Sequence, residues 1–510
     1  MSDPLKGENV KGLLDAAKEA TQVLLGASYV TIVAHIDADG VSAASIASNA
    51  LRRADVPHEC KFIKKLDEAE IKQINKMNSE GVWLVDLGSS AISKISLPIC
   101  CVSDHHSVIE DAINGPKRKQ GQNDLGSFME RKVHVNPHLF GIDGGQSLSG
   151  AGVTYLVAKS MSSSNASSAP LAIVGAVGDF QDSANSRLVG MNQHIVQDAV
   201  AEGTIEITKD IRIFGRESRP LARMLEYAND PTLPGLTNHY AECKRFLDDI
   251  GIEQQSENGW RSWVDLTLEE KREITSRLAD RLLRCGKGAR SIRRLIGEVY
   301  LLSEEKKRTP LHDAKEFATL LNSCGRYDKA AIGLKICQGD RGEALRIADD
   351  LLRNHRDTLK NGITWVKKKG VIRRQSLQYF HAELEIPETV VGIVAGMLLG
   401  SADTNEEKDQ EERVEYDFKV DCSVPIIAFA RSVDEQNIKV SARATRELVL
   451  KGLDLSVAIR LASEKVGGSG GGHRIAAGAS IPLGKESEFL DAIEALISSQ
   501  LAGNRTNGSA

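Results

Sequence analysis

The stretch SYVTIVAHIDADG, residues 28–40, decides the fold. Its first half is apolar and β-branched, which reads as a buried strand. Its second half sets His35, Asp37 and Asp39 at every second position and closes on Gly40. The segment that follows, GVSAASIASNALRR, reads as a helix. A strand that ends in metal-capable side chains and turns directly into a helix belongs at the carboxyl edge of an open parallel α/β sheet, where sites assemble.

The first 190 residues continue in the same way. HECKFI, GVWLVD and PICCVSD are strand-like, DEAEIKQINKMNS is helical, and SGAGVTYLVAKSM and APLAIVGAVGDF read as buried helices. Such alternation predicts an α/β domain with a parallel sheet covered on both faces. Two further strands end as the first does, one at Asp86 and one at Asp104, His105 and His106. Asp179, after IVGAVG, can reach the same edge. A single Asp at a strand end is commonly a helix cap, and Asp39 alone could be one. Three strands ending this way are not explained by capping.

Carboxylates mixed with imidazoles suit manganese first and magnesium as an alternative, with zinc and iron also compatible. Several carboxylates in one cleft repel one another unless cations neutralise them. Two divalent cations about 3.5–4 Å apart would do so and would also serve a phosphoryl displacement. Asp86 is the candidate bridge between them.

Composition narrows the class. The chain has 510 residues, 41% hydrophobic and 26% charged, with a net charge of −5. This fits an ordinary globular protein of roughly three domains. The acidic balance does not advertise nucleic-acid binding, although a local basic cleft is compatible with it. The N-terminus lacks an apolar signal segment. TVVGIVAGMLLG is too short to span a bilayer, so a soluble cytoplasmic protein without membrane contact is expected. The eight cysteines form no C-x-x-C pair, which argues against a disulfide framework or a zinc site.

The domain reading runs in four parts. Residues 1–204 form the catalytic α/β domain, 205–310 a helical insertion, 311–361 a helical connector, and 362–510 a smaller C-terminal α/β domain. In the last part ITWVKKKGVIRR, VEYDFKVDC, IIAFAR and NIKVSAR read as strands, SADTNEEKDQEER as a loop, and the chain closes in a helix from about Glu486. GGSGGGH reads as a Gly-rich loop whose Gly470, Gly471 and Gly472 amides, with His473, could approach phosphate closely. Ser441 and Arg443 share one face of a strand. Asn322 and Arg326 share one face of a helix. Lys367, Lys368, Lys369, Arg373 and Arg374 fall on an expected hairpin, either solvated or touching nucleic acid. Aromatics make up 5% of the chain, so extensive base stacking is not signalled.

HIDADG, VDLGSS, SDHHS and GAVGDF resemble, in order, the four motifs of the DHH phosphoesterase superfamily. The stretch NPHLFGIDGGQSLSGAGVTYLVAK resembles the segment after the DHH motif in RecJ-type exonucleases. LLNSCGR is similar to their N-A-A-G-R segment, and VSAR with GGSGGGHRIAAG to their DHH-associated domain. FGRESRPLARMLEYANDPTLPGLT is similar to archaeal RecJ homologues, including the GINS-associated nucleases. The resemblance implies that His35, Asp37, Asp39, Asp86, His105 and Asp179 ligate two divalent cations. It implies that Asp104 orients its neighbours and that His106 faces the scissile phosphate. Bacterial RecJ proteins usually carry Asp where this chain has His35, so their metal preference does not transfer.

The function so implied is exonucleolytic hydrolysis of single-stranded nucleic acid, 5′→3′ on DNA, with RNA as a further substrate, in replication or repair. The insertion, with Trp260 and Trp263, would dock a protein, the GINS complex first. The alternatives are an oligoribonucleotide or cyclic-dinucleotide phosphodiesterase, whose chains are usually shorter, and a replisome component with a mainly structural role.

Overall fold

The computed structural model describes residues 8–108, 131–228, 230–257, 259–286, 288–402, 420–432 and 436–503. It divides into two compact units, residues 1–231 with 240–352, and residues 232–239 with 353–510.

The first unit is built on five parallel strands: β1 (Val30–His35), β2 (His58–Ile63), β3 (Gly81–Val85), β4 (Ile99–Ser103) and β5 (Arg131–Val135), in the order β2-β1-β3-β4-β5. Strands β3 and β4 are buried throughout, and β1 up to its last residue, because both faces are covered. Alternate residues serve the two faces. Ile32, Trp83, Val85 and Cys101 join the core beneath helices α1 (Glu8–Leu25) and α2 (Ala38–Arg53), whereas Val33, Leu84, Cys100 and Val102 join Ile71 and Ile74 of α3 (Glu68–Ile74). Both adjacent cysteines are thus core residues, and burial pushes the Cys100 thiol up to about 12. Trp83 satisfies its indole N–H on Ser103 Oγ at 2.9 Å.

Register sets the site. Ala34 pairs with Val85, and Val85 with Ser103. The residues that follow, His35, Asp86 and Asp104, therefore emerge side by side at one sheet edge. Helices α4 (Gly150–Met161), α5 (Ala169–Gly178) and α6 (Met191–Ala201) complete this layer.

The inserted segment is less purely helical than its composition implies. Its ends are strands, β6 (Ile205–Ile211) and β9 (Ile296–Leu302), paired antiparallel. Between them lie α7 (Leu221–Glu226), α8 (Tyr240–Asp249), the two-residue strands β7 (Gln255–Ser256) and β8 (Gly259–Trp260), α9 (Leu268–Arg284) and α10 (Gly288–Leu295). Trp263 is not surface, as expected from the sequence, but fully buried, with its indole N–H donated to Asp210 Oδ1 at 2.9 Å. Trp260 is exposed, with the Arg308 guanidinium 5.0 Å from its ring centroid.

Helix α11 (Ala314–Arg326) follows, capped by Asp313. It is held at its start by the FGRES stretch: Glu316 Oε1 accepts the Glu217 N–H at 2.8 Å, Glu316 Oε2 accepts the Ser218 hydroxyl, and Arg216 lies 3.5 Å from Asp313. Burial and the neighbouring Asp313 carboxylate push Glu316 up to about 7. Helices α12 (Ala330–Cys337) and α13 (Glu343–Lys369) come next.

Helix α13 corrects one expectation. ITWVKKK is helix rather than strand, because Leu359, Ile363 and Val366 recur at helical spacing and share one core. The β-branched composition of the segment had pointed the other way. Gly370, at φ +86°, ends the helix. What remains of the hairpin is β10 (Ile372–Arg373) against β11 (Gln378–His381). Arg373 pairs with Asp421 at 3.0 Å and Arg374 with Asp491 at 2.6 Å, so this pair of arginines faces carboxylates.

The second unit is a six-stranded sheet in the order β10-β11-β12-β13-β15-β14, with β12 (Ile426–Arg431), β13 (Asn437–Arg443), β14 (Ser469–Gly472) and β15 (Ala476–Pro482). Helix α14 (Val391–Ala402) packs on one face; α15 (Arg446–Leu450), α16 (Leu455–Lys465) and α17 (Glu486–Gly503) serve the other. The expected strand VEYDFKVDC lies outside the described residues up to Lys419, and Val420–Cys422 are not strand. Of the expected loop SADTNEEKDQEER, Ser401 and Ala402 end α14 and the rest lies outside the described residues. The Gly-rich run is not a loop: Ser469–Gly472 pair antiparallel with Ala477–Ser480. Glycines read as loop because they offer no side chain to a periodicity argument, but here they form an edge strand. Among the described residues no helix is long and apolar enough to cross a membrane.

Candidate metal centre

Each strand end contributes its groups for a local reason. Asp37 caps α2, its Oδ1 accepting the Gly40 N–H at 3.0 Å, while its Oδ2 lies 2.8 Å from His35 Nδ1. Asp39 is buried in the first turn of α2. Its carboxylate accepts the Gly150 and Ala151 N–H groups at 2.6 and 3.0 Å, at the amino end of α4. Gly150 has no room for a side chain, since a Cβ there would stand 2.5 Å from Asp86 Oδ1. Asp86 itself takes a left-handed backbone, φ +59°, which few non-glycine residues adopt.

After β4, Asp104 accepts four N–H groups: the Ser89, His105 and His106 amides at 2.9, 2.8 and 3.1 Å and the His106 ring at 2.8 Å. His105 bonds the Gly144 carbonyl through Nδ1 at 2.8 Å. That contact turns Nε2 toward Asp86 Oδ1, Asp39 Oδ2 and Asp179 Oδ2, at 3.4, 3.7 and 3.8 Å.

Three groups of potential ligands result: His35, Asp37 and Asp86; Asp39, His105 and Asp179; and Asp86, His105 and His106, the ligand atoms of each lying within 4.8 Å of one another. The first two are disjoint, and Asp86 and His105 each recur in the third. These groups have the make-up of divalent-cation sites. Asp86 Oδ1 is buried without a hydrogen-bond partner, an arrangement that costs free energy unless something else satisfies it. The residues present therefore fit a pair of divalent cations.

The electrostatics agree. Burial pushes the Asp179 carboxyl up to about 6, with the Asp86 charge adding to it, and Asp39 is raised by burial and Asp86. For Asp37 burial works in the same direction, but His35 outweighs it and holds the carboxyl below the usual range. Burial disfavours the His35 cation, yet Asp37 and Asp86 raise its pKa to about 11. The hydrogen bond to Asp104 raises His106 to about 9. The cluster thus draws positive charge onto its imidazoles, as a cleft with excess carboxylate must.

Asn322 and Arg326 reach this edge from α11. Asn322 Oδ1 accepts the Ala38 N–H at 2.9 Å, so its carbonyl serves the start of α2. Gly325 lets α11 come this close, since a Cβ there would stand 1.9 Å from the Ile36 carbonyl oxygen. Arg326 is half-buried, and burial lowers its pKa while the nearby Asp37 opposes that shift.

In the second unit Ser441 and Arg443 project from β13 on the face opposite Ile438, Val440 and Ala442. Gly392 of α14 makes room for them: a Cβ there would stand 2.6 Å from an Arg443 Nη and 3.0 Å from Ser441 Oγ. Arg443 donates to the Ala442 carbonyl at 2.8 Å, and burial lowers its pKa. Gly471 faces open space. Gly470 packs against Ala479, Ile459 and Ser463, which accounts for its lack of a side chain. His473 is exposed in the tight turn between β14 and β15, its N–H donated to the Ala476 carbonyl at 2.8 Å. Gly472 pairs with Ala477, and Arg443 with Ala476, so the turn and Arg443 share one end of the sheet.

Residues behind the cluster were not read from the sequence. Gln181 donates to the Gly144 carbonyl at 2.9 Å and to Asp179 Oδ2 at 3.3 Å, and accepts from Asn192 at 2.6 Å. Asn136 donates to Ser89 Oγ and to the His106 carbonyl at 2.7 and 2.9 Å. Asn136 and Gly144 lie in the segment whose resemblance was noted, but no residue type there announces the contact.

Two family models match parts of the chain. Residues 213–296 match the DHH-CID domain and residues 378–499 the DHHA1 domain. In fold the chain is RecJ-like. It is 28% identical, over 97% of its length and 99% of the relative's, to an uncharacterized protein of Methanocaldococcus jannaschii. It shares its fold with RecJ of Thermus thermophilus, solved in complex with Mn2+ (TM-score 0.54, 14% identity), over 96% of this chain and 55% of that one. The chain therefore spans about half the length of that protein. CDC45 of Entamoeba histolytica is similar over 96% of this chain and 98% of its own (TM-score 0.57, 10% identity).

Proposed function

We propose that the protein is a metal-dependent exonuclease that hydrolyses the phosphodiester bonds of single-stranded nucleic acid, 5′→3′ on DNA, in replication or repair. The observation that carries this reading is the pair of disjoint ligand clusters joined through Asp86 and His105. A protein that used this fold only as a scaffold would have no need of a buried Asp86 carboxylate oxygen left with no hydrogen bond and only a His105 ring nitrogen 3.4 Å away. His35, Asp37, Asp39, Asp86, His105 and Asp179 would hold two divalent cations, manganese first and magnesium second. When bound, such cations neutralise the carboxylates and stabilise the charge of an in-line displacement at phosphorus.

The remaining steps fall to the chain itself. Asp104, saturated with N–H donors, keeps His106 protonated at neutral pH, so that its exposed ring nitrogen holds a proton for the leaving oxygen. Arg326 supplies a fixed cation beside Asp37 for a non-bridging phosphate oxygen. Ser441 and Arg443, with the amides near Gly471 and Gly472 and the ring of His473, would hold the strand backbone. The inserted segment would dock a partner, with the GINS complex the first to test.

The likeness to CDC45 favours a second reading, a replisome component with a mainly structural role. The test is digestion of end-labelled DNA and RNA single strands, from dinucleotides to 30-mers, with Mn2+, Mg2+ or EDTA. Metal-dependent release of nucleotides from the 5′ end of long strands is expected. Cleavage of dinucleotides alone would make the protein a small-substrate phosphodiesterase, and no cleavage under any condition would favour the structural role.

A further inference from the structure

Phe180 has no role in the core and stands next to a metal-capable carboxylate. Helix α5 ends with the Phe180 N–H on the Val177 carbonyl at 3.1 Å and the Gln181 N–H on the Ala176 carbonyl at 3.0 Å. This is the helix stop in which the residue before Gln181 must be left-handed, a place usually taken by glycine. Phe180 takes it instead, at φ +58°, a conformation that disfavours any residue with a Cβ. The residue is 67% exposed, so burial offsets little of that cost.

The turn is also anchored by hydrogen bonds. Gln181 is buried and bonded to Gly144, Asp179 and Asn192, while Asp179 belongs to the cluster with Asp39 and His105. Gln181 is thus fixed inward and Phe180 outward, with its Cα about 3.8 Å from that of Asp179. An exposed ring held in an unfavourable backbone, one residue from a carboxylate of the cluster, is costly to the fold and calls for a ligand to account for it.

We propose that Phe180 stacks on the base of a nucleotide whose phosphate is held at the adjacent cluster. The inference rests on the reading of this site as a nuclease and adds the residue that would contact the base, which would favour base-bearing strands over polyphosphate or base-free phosphate esters. Every base has a π-face, so the contact carries no sequence preference. The charges of the described cluster account for a phosphate; the Phe180 ring beside Asp179 is the feature that favours a base.

The test uses full-length protein and single strands with phosphorothioate linkages, so that binding is read by fluorescence anisotropy without turnover. One strand carries bases throughout, and the other has abasic nucleotides at the end that is attacked. Phe180→Gly is expected to bind the base-bearing strand roughly 5- to 100-fold more weakly. Its affinity for the abasic strand should equal that of the wild type. Its thermal midpoint should be unchanged or higher, since glycine suits the turn. Phe180→Trp should retain tight binding. A Phe180→Gly protein that binds the base-bearing strand as tightly as the wild type overturns the stacking alone, as does an equal loss on both strands. A wild type that neither binds nor cuts any strand overturns the phosphodiesterase reading together with it.

Discussion

Asp86 Oδ1 lies 3.4 Å from His105 Nε2, and these two residues are the ones that recur among the three ligand groups. They come from adjacent parallel strands, each from the residues just beyond the strand end. Removing either should therefore disturb both cation positions rather than one.

Asp86→Asn tests this with little change of shape, since Asn tolerates the left-handed backbone found here. Hydrolysis should fall by at least about 100-fold, more than the roughly 10- to 100-fold that mutation of a ligand's outer partners costs. Calorimetric titration with Mn2+ should show weakened binding at both sites. Two unaltered Mn2+ sites in the variant would remove Asp86 from the centre. The wild type should lose all hydrolysis in EDTA.

Gln181→Met should leave the ligands in place but release the Gly144 carbonyl that turns His105. Mn2+ affinity should drop about 10- to 100-fold, the usual effect of losing a partner behind a ligand. Thermal unfolding should report a loss of about 1–3 kcal/mol, because the Asn192 amide is left unpaired. Unchanged Mn2+ affinity would mean that His105 is oriented without it.

Glu316 makes stability fall with rising pH. Its carboxyl is raised to about 7 in the fold, against an ordinary glutamate near 4.5, so between these values the folded state binds more protons than the unfolded one. Its contribution is fully present below about pH 4.5 and is lost as pH rises through about 7, by at most about 1.4 kcal/mol per pH unit for one proton. Glu316→Gln keeps a carbonyl for the Glu217 amide and should flatten the profile between pH 5 and 7. Parallel profiles for wild type and variant would show that Glu316 does not titrate in this window.

If Arg443 holds the terminal phosphate as proposed, Arg443→Ala removes one charged contact, worth about 1.5–3 kcal/mol, or roughly tenfold to a hundredfold in affinity. Use of 5′-phosphorylated strands should suffer far more than use of 5′-hydroxyl strands, with Mn2+ binding unaltered. Equal losses on the two would take Arg443 away from the terminal phosphate.

The first unit was legible because its signals are local. Buried β-branched runs gave the strands, and residues at their ends share one edge whenever neighbouring strands are parallel and in register, as Ala34, Val85 and Ser103 are. What escaped was the layer behind. His105 is oriented by a backbone carbonyl 39 residues away, and no residue type encodes that. The errors have a common physical origin. Ile363 and Val366 are β-branched yet helical, because their spacing rather than their type matched the core. The glycines from 470 to 472 are extended because a neighbouring strand completes their hydrogen bonds.

Helix α11 is fastened at both ends. Glu316 and Asp313 tie its first turn to residues 216–218, and Asn322 and Gly325 seat its far end on Ala38 and Ile36, where β1 runs into α2. Thirteen residues of helix make a strut about 20 Å long. A truncation that removes the inserted segment cuts one mooring of this strut and leaves Arg326 to drift beside Asp37. Loss of activity in such a truncation would then say nothing about a partner. Docking has to be dissected by single exposed substitutions, such as Trp260→Ala, that leave both moorings intact.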